Sequence, residues 1–332
     1  MPITAGTTDV SIVIISFNTQ GLLRECLESI QPGAGAATYE TIVVDNASRD
    51  GSADMVDAEF TTVRLIRSAT NLGFAAANNV GCAEARGRYV VQLNSDAFLH
   101  PGALEAAVRH MDSSPRVGLG GGRLIGRDGG WQPSARMFPS PLNEVLSITG
   151  LAAKHRSSRL LGRADRTWAD PLESSSVDWV PGAFTIIRRH LFDELGRLDE
   201  RFFLYFDDVD ICRRIKALGY EVWYWPDIVV THVGGESAKT VKRLEISSSG
   251  AQLTLWRVRS QLLYYRKYHG AIGAWLSMFL ETSWNRLKML RYLGANTADL
   301  QAKSKESQVV LAMLRQAWRE TQGGQICPPR PW

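Results

Sequence analysis

Val90-Val91-Gln92-Leu93-Asn94-Ser95-Asp96 decides the fold. A short apolar, partly β-branched run stops at three polar residues and soon meets Pro101-Gly102. Such a run reads as a buried strand that delivers a carboxylate to its own carboxyl end, where open α/β sheets bind ligands. A hard divalent cation held there can neutralise a diphosphate. A plainer role also fits, in which Asp96 caps the next helix.

The segments on either side supply the rest of a sheet. Residues 10–16 are a continuous β-branched run, and residues 39–45 and 63–66 read as further strands. Leu22, Leu23, Cys26, Leu27 and Ile30 recur at helical spacing, and residues 75–85 read as a second helix. Strands alternating with helices predict an α/β fold: a mostly parallel twisted sheet with helices on both faces. Residues 134–177 lose periodicity and predict an irregular, partly helical insertion near a binding face. Order returns with strands at 177–180 and 183–187, a helix from Asp208 ending at Gly219, and strands at 221–224 and 228–231.

Beyond about residue 245 the pattern turns helical. Leu255, Val258, Leu262 and Tyr265 form one stripe; residues 275–293 and 299–320 predict two more helices, and Gly323 onward predicts a loose tail. The division expected is an α/β body over residues 1–245 and a basic, aromatic helical region over 246–332.

Composition bounds the function. The 332 residues are 45% hydrophobic and 22% charged, which is ordinary for a globular chain. Four scattered cysteines form no C-x-x-C pair, so neither a zinc site nor a disulfide framework is indicated, and reduced cytosolic thiols are expected. The first nine residues lack the pattern of a signal peptide, and no run reaches the roughly 18 apolar residues of a membrane span. From residue 251 onward there are 12 Lys/Arg and 4 Asp/Glu, a net +8. The whole chain carries +4, so the first 250 residues carry −4. Five of the 10 tryptophans share that basic end. An anionic partner surface is implied; the aromatic content favours a membrane interface over nucleic acid, and packing on the body or on a second subunit is the alternative.

Gly118-Leu119-Gly120-Gly121-Gly122 lacks the third spaced glycine opening a helix, so a dinucleotide dehydrogenase is disfavoured, as is a P-loop enzyme. Asp45, at a strand end, can accept from a pyrimidine N–H or shape its turn with Asn46 and Asp50. Asn71, Phe74, Asn78 and Asn79 put amides at a helix entry, fit for a sugar or for capping. Asp207, Asp208 and Asp210 crowd a helix N-terminus, where a general base and a helix cap are both served. His232 closes a strand before Gly234-Gly235 and is a candidate second metal ligand beside Asp96.

These segments together resemble the family 2 glycosyltransferases of the GT-A fold, in their bacterial rhamnosyltransferase-like branch. The likeness rests on residues 10–18, 43–52, 71–79, 93–96, 179–183, 203–213 and 232–237, in order. It implies that Phe17, Asn18, Asp45 and Asn46 meet the nucleotide, and that Asn71, Phe74 and Asn78 line the donor pocket with Asn94 and Ser95. It implies a Mg²⁺ or Mn²⁺ ion on Asp96 and His232. Asn94 stands where the family's D-x-D motif has its first Asp. Asp208 would be the catalytic base with Asp207 as its neighbour, in place of the family's Glu-Asp pair. Trp179, Gly182 and Ala183 would border the acceptor.

The activity so implied is inverting transfer from a nucleotide diphosphate sugar, dTDP-rhamnose in the first instance, to a hydroxyl. The acceptor would be a glycan or polyprenyl-diphosphate-linked glycan of cell-surface polysaccharide assembly. A cytoplasmic enzyme, peripheral on the inner face of the membrane and able to form a homodimer, is the matching expectation. A sugar-1-phosphate nucleotidyltransferase and a non-catalytic sugar-binding protein are the alternatives. The first would need a Gly-rich, basic first loop that Phe17-Asn18-Thr19 does not supply.

Overall fold

A computed structural model describes residues 8–234, 251–292 and 298–327. Ten strands form one sheet: β1 (Val10–Ser16), β2 (Tyr39–Asp45), β3 (Arg64–Arg67), β4 (Tyr89–Asn94), β5 (Ala97–Leu99), β6 (Val117–Ile125), β7 (Trp131–Gln132), β8 (Ser175–Val177), β9 (Phe184–Arg188) and β10 (Glu221–His232). Their order is β3-β2-β1-β4-β9-β6-β10-β5, with β7 on β6 and β8 on β10. The half from β3 to β4 is parallel, as the alternating sequence predicts. Beyond it β9 runs antiparallel to both β4 and β6, and the sheet becomes mixed.

β1, β4 and the inner part of β2 are buried on both faces because their residues are mostly apolar, while the edge strand β3 is half-buried. Ile12 and Ile14 point into one core with Leu23, Cys26 and Leu27 of the helix Gln20–Ala34. Val13 and Ile15 point into the other with Ala75 and Ala77 of the helix Phe74–Ala83. The glycine-dense run lies inside β6 and answers a packing need. A Cβ on Gly120 would meet the Trp225 ring at 1.8 Å, and one on Gly121 would meet Val180 at 2.7 Å. The strands expected at 221–224 and 228–231 are one strand, with a register shift between Trp225 and Val229 around Pro226.

Residues 134–176 are irregular as expected, with two short helices, Pro141–Ile148 and Leu151–Lys154. Glu144 on the first reaches the helical region: its Oε1 accepts from Ser277 Oγ at 3.0 Å and from Gln261 Nε2 at 3.1 Å. Burial, with the Glu281 carboxylate adding to it, pushes Glu144 up to about 7.

The helical region begins at Ala251, and the division expected at 245/246 lies outside the described residues. Ala251–Arg291 is two helices meeting at Gly270, whose φ of 67° and ψ of −167° only glycine adopts readily. The first of them packs Leu263, Tyr264 and Tyr265 against Phe202 and Val209 of the α/β body. The helix Ala298–Glu320 packs Leu311, Leu314 and Ala317 on Val258 and Leu262. The tail is firmer than expected as far as Cys327. Gly323 N–H donates to Trp318 O at 2.9 Å, and Gly324, at φ 84°, lies against Leu262 O where a Cβ would sit at 2.2 Å. A helix-closing turn needs those glycines, so what reads as a flexible tail is a cap.

Candidate active site

Four strand or helix ends converge beside β4. Asn94 N–H donates to Ala183 O at 3.1 Å, and the neighbouring Gly182 N–H donates to Asp208 Oδ2 at 3.1 Å. On the other side, antiparallel pairing sets His232 of β10 opposite Ala97 of β5, beside Asp96. His232 Nε2 lies 3.6 Å from Asp96 Oδ1 and 3.5 Å from Asn94 Nδ2. Short contacts thus link positions 96, 182, 183, 208 and 232 around the carboxyl end of β4.

The metal reading can be tested on the donor set. Gln132 grips His232 twice: its Nε2 donates to the His232 carbonyl at 2.8 Å, and its Oε1 lies 3.0 Å from Nδ1. With Nδ1–H donating to Gln132, the Nε2 lone pair faces the Asp96 carboxylate. Burial holds the imidazole below its ordinary range, against the pull of Asp96, so it stays neutral and able to ligate. One carboxylate and one neutral imidazole suit Mn²⁺ or Mg²⁺ whose remaining positions are filled by phosphate oxygens and water. Among the described residues no group of three or more His, Cys, Asp or Glu side chains gathers to hold an ion without such help.

The donor-side residues divide in two. Asp45 is 4% exposed; its Oδ2 accepts from Ser48 N–H at 3.1 Å, while its buried Oδ1 has no partner. Asn94 Oδ1 is likewise buried and unpartnered. Unpaired buried acceptors are costly, and a ligand N–H or O–H would satisfy them. Asn46 is the opposite: its Oδ1 accepts from Leu72 N–H at 2.8 Å and its Nδ2 donates to Asn71 Oδ1 at 3.0 Å. Asn71 also accepts from Gly73 N–H, and Asn78 donates to Phe74 O. These three buried amides hold the loop that carries Phe74. Asn18, at φ 53°, accepts on its Oδ1 from Arg49 N–H and donates its own N–H to Ser48 Oγ, which latches the loops after β1 and β2 together. Ser95 accepts from Thr19 Oγ1 at 3.0 Å, and Phe17 is half-buried at the end of β1.

The acidic cluster also divides. Tyr205 and Phe206 both take left-handed φ, 68° and 67°, and turn the chain sharply into the helix Asp207–Ala217. Such consecutive strain is tolerated where the surroundings over-determine it. Asp207 is buried at the helix start; Asp208 is partly exposed and accepts from Gly182 and Val209 N–H. Burial raises both carboxyls above the usual range, with Asp208 adding to the rise of Asp207. The two N–H donors and the Arg136 charge pull Asp208 back, so its rise is smaller than that of Asp207. Asp210, by contrast, is fully buried away from the cleft and takes Lys267, Tyr268 Oη at 2.7 Å and Arg214 Nε at 2.8 Å.

On the acceptor side, Trp179 donates Nε1–H to Met137 O at 2.9 Å and lies under the Arg136 guanidinium, 5.0 Å from its ring centre. Gly182 faces Asp208 and Phe74; a Cβ there would lie 3.6 Å from the Asp208 Cβ. The sequence reading missed Gln132 and Arg136. The Asp128-Gly129-Gly130 turn before β7 was the available signal for the first; Arg136 had none.

The sequence profile of Glycosyl transferase family 2 matches residues 11–196, more than half of the chain and all of the strands up to β9. The chain belongs to this family. It is a glycosyltransferase, similar to the N-acetylglucosaminyl-diphospho-decaprenol L-rhamnosyltransferase of Mycobacterium tuberculosis, 29% identical over 238 residues that cover 68% of this chain and 76% of that one. It is also similar to the dTDP-rhamnosyl transferase RfbF of Shigella flexneri, 23% identical over 69% of this chain and 71% of the relative. Its GT-A fold matches the mannosyltransferase PcManGT of Pyrobaculum calidifontis, solved with GDP-Man and Mn²⁺, at TM-score 0.53 and 16% identity, covering 94% of this chain and 88% of that one. No helix among the described residues of this glycosyltransferase is long and apolar enough to cross a membrane.

Proposed function

We propose that this family 2 enzyme moves rhamnose from dTDP-rhamnose, with inversion, to a hydroxyl of a polyprenyl-diphosphate-linked glycan during polysaccharide assembly. The observation that carries the reading is the bonded path from the Asp208 carboxylate through Gly182 and Ala183 to the strand end bearing Asn94, Asp96 and His232. The names of the mycobacterial and Shigella relatives supply the sugar, and the former the lipid diphosphate.

Asp208 accepts the proton of the acceptor hydroxyl as that oxygen attacks the anomeric carbon. The bond to the nucleoside diphosphate breaks on the opposite face, and its electron pair leaves on the diphosphate oxygen. A carboxyl raised by burial is a stronger base near neutral pH than an exposed one. Asp45 Oδ1 receives the thymine N3–H, and Asn94 Oδ1 a donor hydroxyl. Asp96 and His232 would hold Mg²⁺ or Mn²⁺, which when bound supplies positive charge to the departing diphosphate.

Thermal-shift titration with dTDP-rhamnose and other nucleotide sugars, with and without Mn²⁺, tests this. dTDP-rhamnose with Mn²⁺ is expected to raise Tm most. Asp45→Ala is expected to weaken donor binding by about tenfold, the worth of one hydrogen bond at a buried acceptor. Absence of any shift with every nucleotide sugar, with or without Mn²⁺, sinks the reading.

A further inference from the structure

The two helices that meet at Gly270 differ in what they bury. Along residues 271–291 the buried positions are Gly273, Ala274, Ser277, Glu281 and Asn285, one side of the helix. The opposite side holds large apolar residues in the open: Ile272 is 80% exposed, Trp275 54%, Phe279 51%, Leu287 61% and Leu290 60%. At 100° per residue these five fall within an arc of about 120°, so they form a single stripe about 30 Å long. Trp275 and Phe279 stack on each other with ring centres 5.2 Å apart, and so present one continuous aromatic surface. A stripe of this size on a water-facing helix marks an interaction surface.

Charge selects the occupant. Residues 271–292 contain one acid, Glu281, and its side chain is 7% exposed and paired with Arg257. Of their cations, Arg286 lies exposed within the stripe and Arg291 exposed on its flank, while Lys288 is half-buried on the opposite side. A second copy docking by this face would present the same patch, with no exposed carboxylate to meet those cations. An anionic bilayer supplies the counter-charge, an apolar layer for the stripe and an interface where Trp is favoured.

We propose that the outward face of helix 271–291 lies in the headgroup layer of an anionic membrane, with Ile272, Trp275, Phe279, Leu287 and Leu290 inserted. This docking depends on neither the donor nor the acceptor assigned above, because it needs no glycan. It also gives the kink at Gly270 a purpose: the first helix stays in the body while the second turns its apolar side outward.

Co-sedimentation of the full chain with vesicles tests it, using phosphatidylcholine alone and phosphatidylcholine mixed with phosphatidylglycerol. The chain is expected to pellet with the anionic vesicles, less so as salt rises. Trp275→Ser with Phe279→Ser is expected to weaken binding at least about tenfold, and Arg286→Gln about fivefold. All three side chains are exposed, so an unchanged circular dichroism melt will confirm folding. The proposal fails if the intact chain stays in the supernatant with anionic vesicles, or if the double variant binds undiminished. It fails too if sedimentation velocity without lipid finds a dimer that the double variant splits, since the face then belongs to a second copy.

Discussion

The cleft and the seam beneath the helical region are built from the same four-residue run, and they treat its carboxylates in opposite ways. At the seam Asp210 meets Lys267, Arg214 and Tyr268. In the cleft Asp208 keeps a partly open carboxylate with two backbone donors, and Asp45 and Asn94 each leave a buried oxygen unpaired. A saturated polar cluster holds structure; an unsaturated one awaits a ligand. One turn of helix, from residue 207 to 210, separates the two uses.

Exchanging one atom in the cleft should cost the most. Asp208→Asn is expected to lower kcat by about 10²–10⁴-fold, the usual contribution of a general base, while donor affinity stays within a few fold. Near-normal turnover in single-turnover assays would erase the contrast with Asp210. At the seam the loss should be in stability. Asp210→Ala takes the buried carboxylate from Lys267, Arg214 and Tyr268, leaving Lys267 only Asp199 and Arg214 only backbone carbonyls, and is expected to cost about 3 kcal/mol in urea unfolding. The chemistry of the molecules that remain folded should be intact; a kcat collapse in fully folded protein would place Asp210 in the cleft's machinery.

The smallest effect concerns the second seam, at Glu144. Its carboxyl titrates at about 7 in the fold against an ordinary 4.5. The proton it keeps therefore stabilises the fold fully below pH 4.5, and that contribution fades as pH rises through 7. Glu281, Tyr265 and Arg257 are the titratable or charged groups around it. Glu144→Gln is expected to flatten the fall of Tm between pH 5 and 8; an unaltered slope would show that Glu144 does not carry it.

Much of this was legible in the sequence because strands announce themselves locally. Asp45 and Asp96 follow apolar runs that can only be buried strands, so their placement at the sheet's carboxyl edge was readable. Residues 207–217 carry helical spacing, and the helix was readable too. Which carboxylate turned to the cleft was not, because Asp210 is sorted by Lys267 and Tyr268, more than fifty residues away. Asn46 and Asn71 looked like donor contacts because an amide's type does not reveal that another amide already fills it. Gln132 reaches His232 across a hundred residues from a two-residue strand too short to have a period.

Gly120 sets how closely β10, the strand that ends in His232, lies on β6. With no room for even a methyl group beneath Trp225, β6 and β10 are meshed like gear teeth at that point. Past the irregularity at Pro226 the strand is registered afresh against β5, where His232 sits opposite Ala97, so a push at Gly120 would spread β6 from β10 rather than slide the imidazole. Tolerance to mutation in this enzyme should therefore be lowest at a bare backbone position that touches no ligand at all.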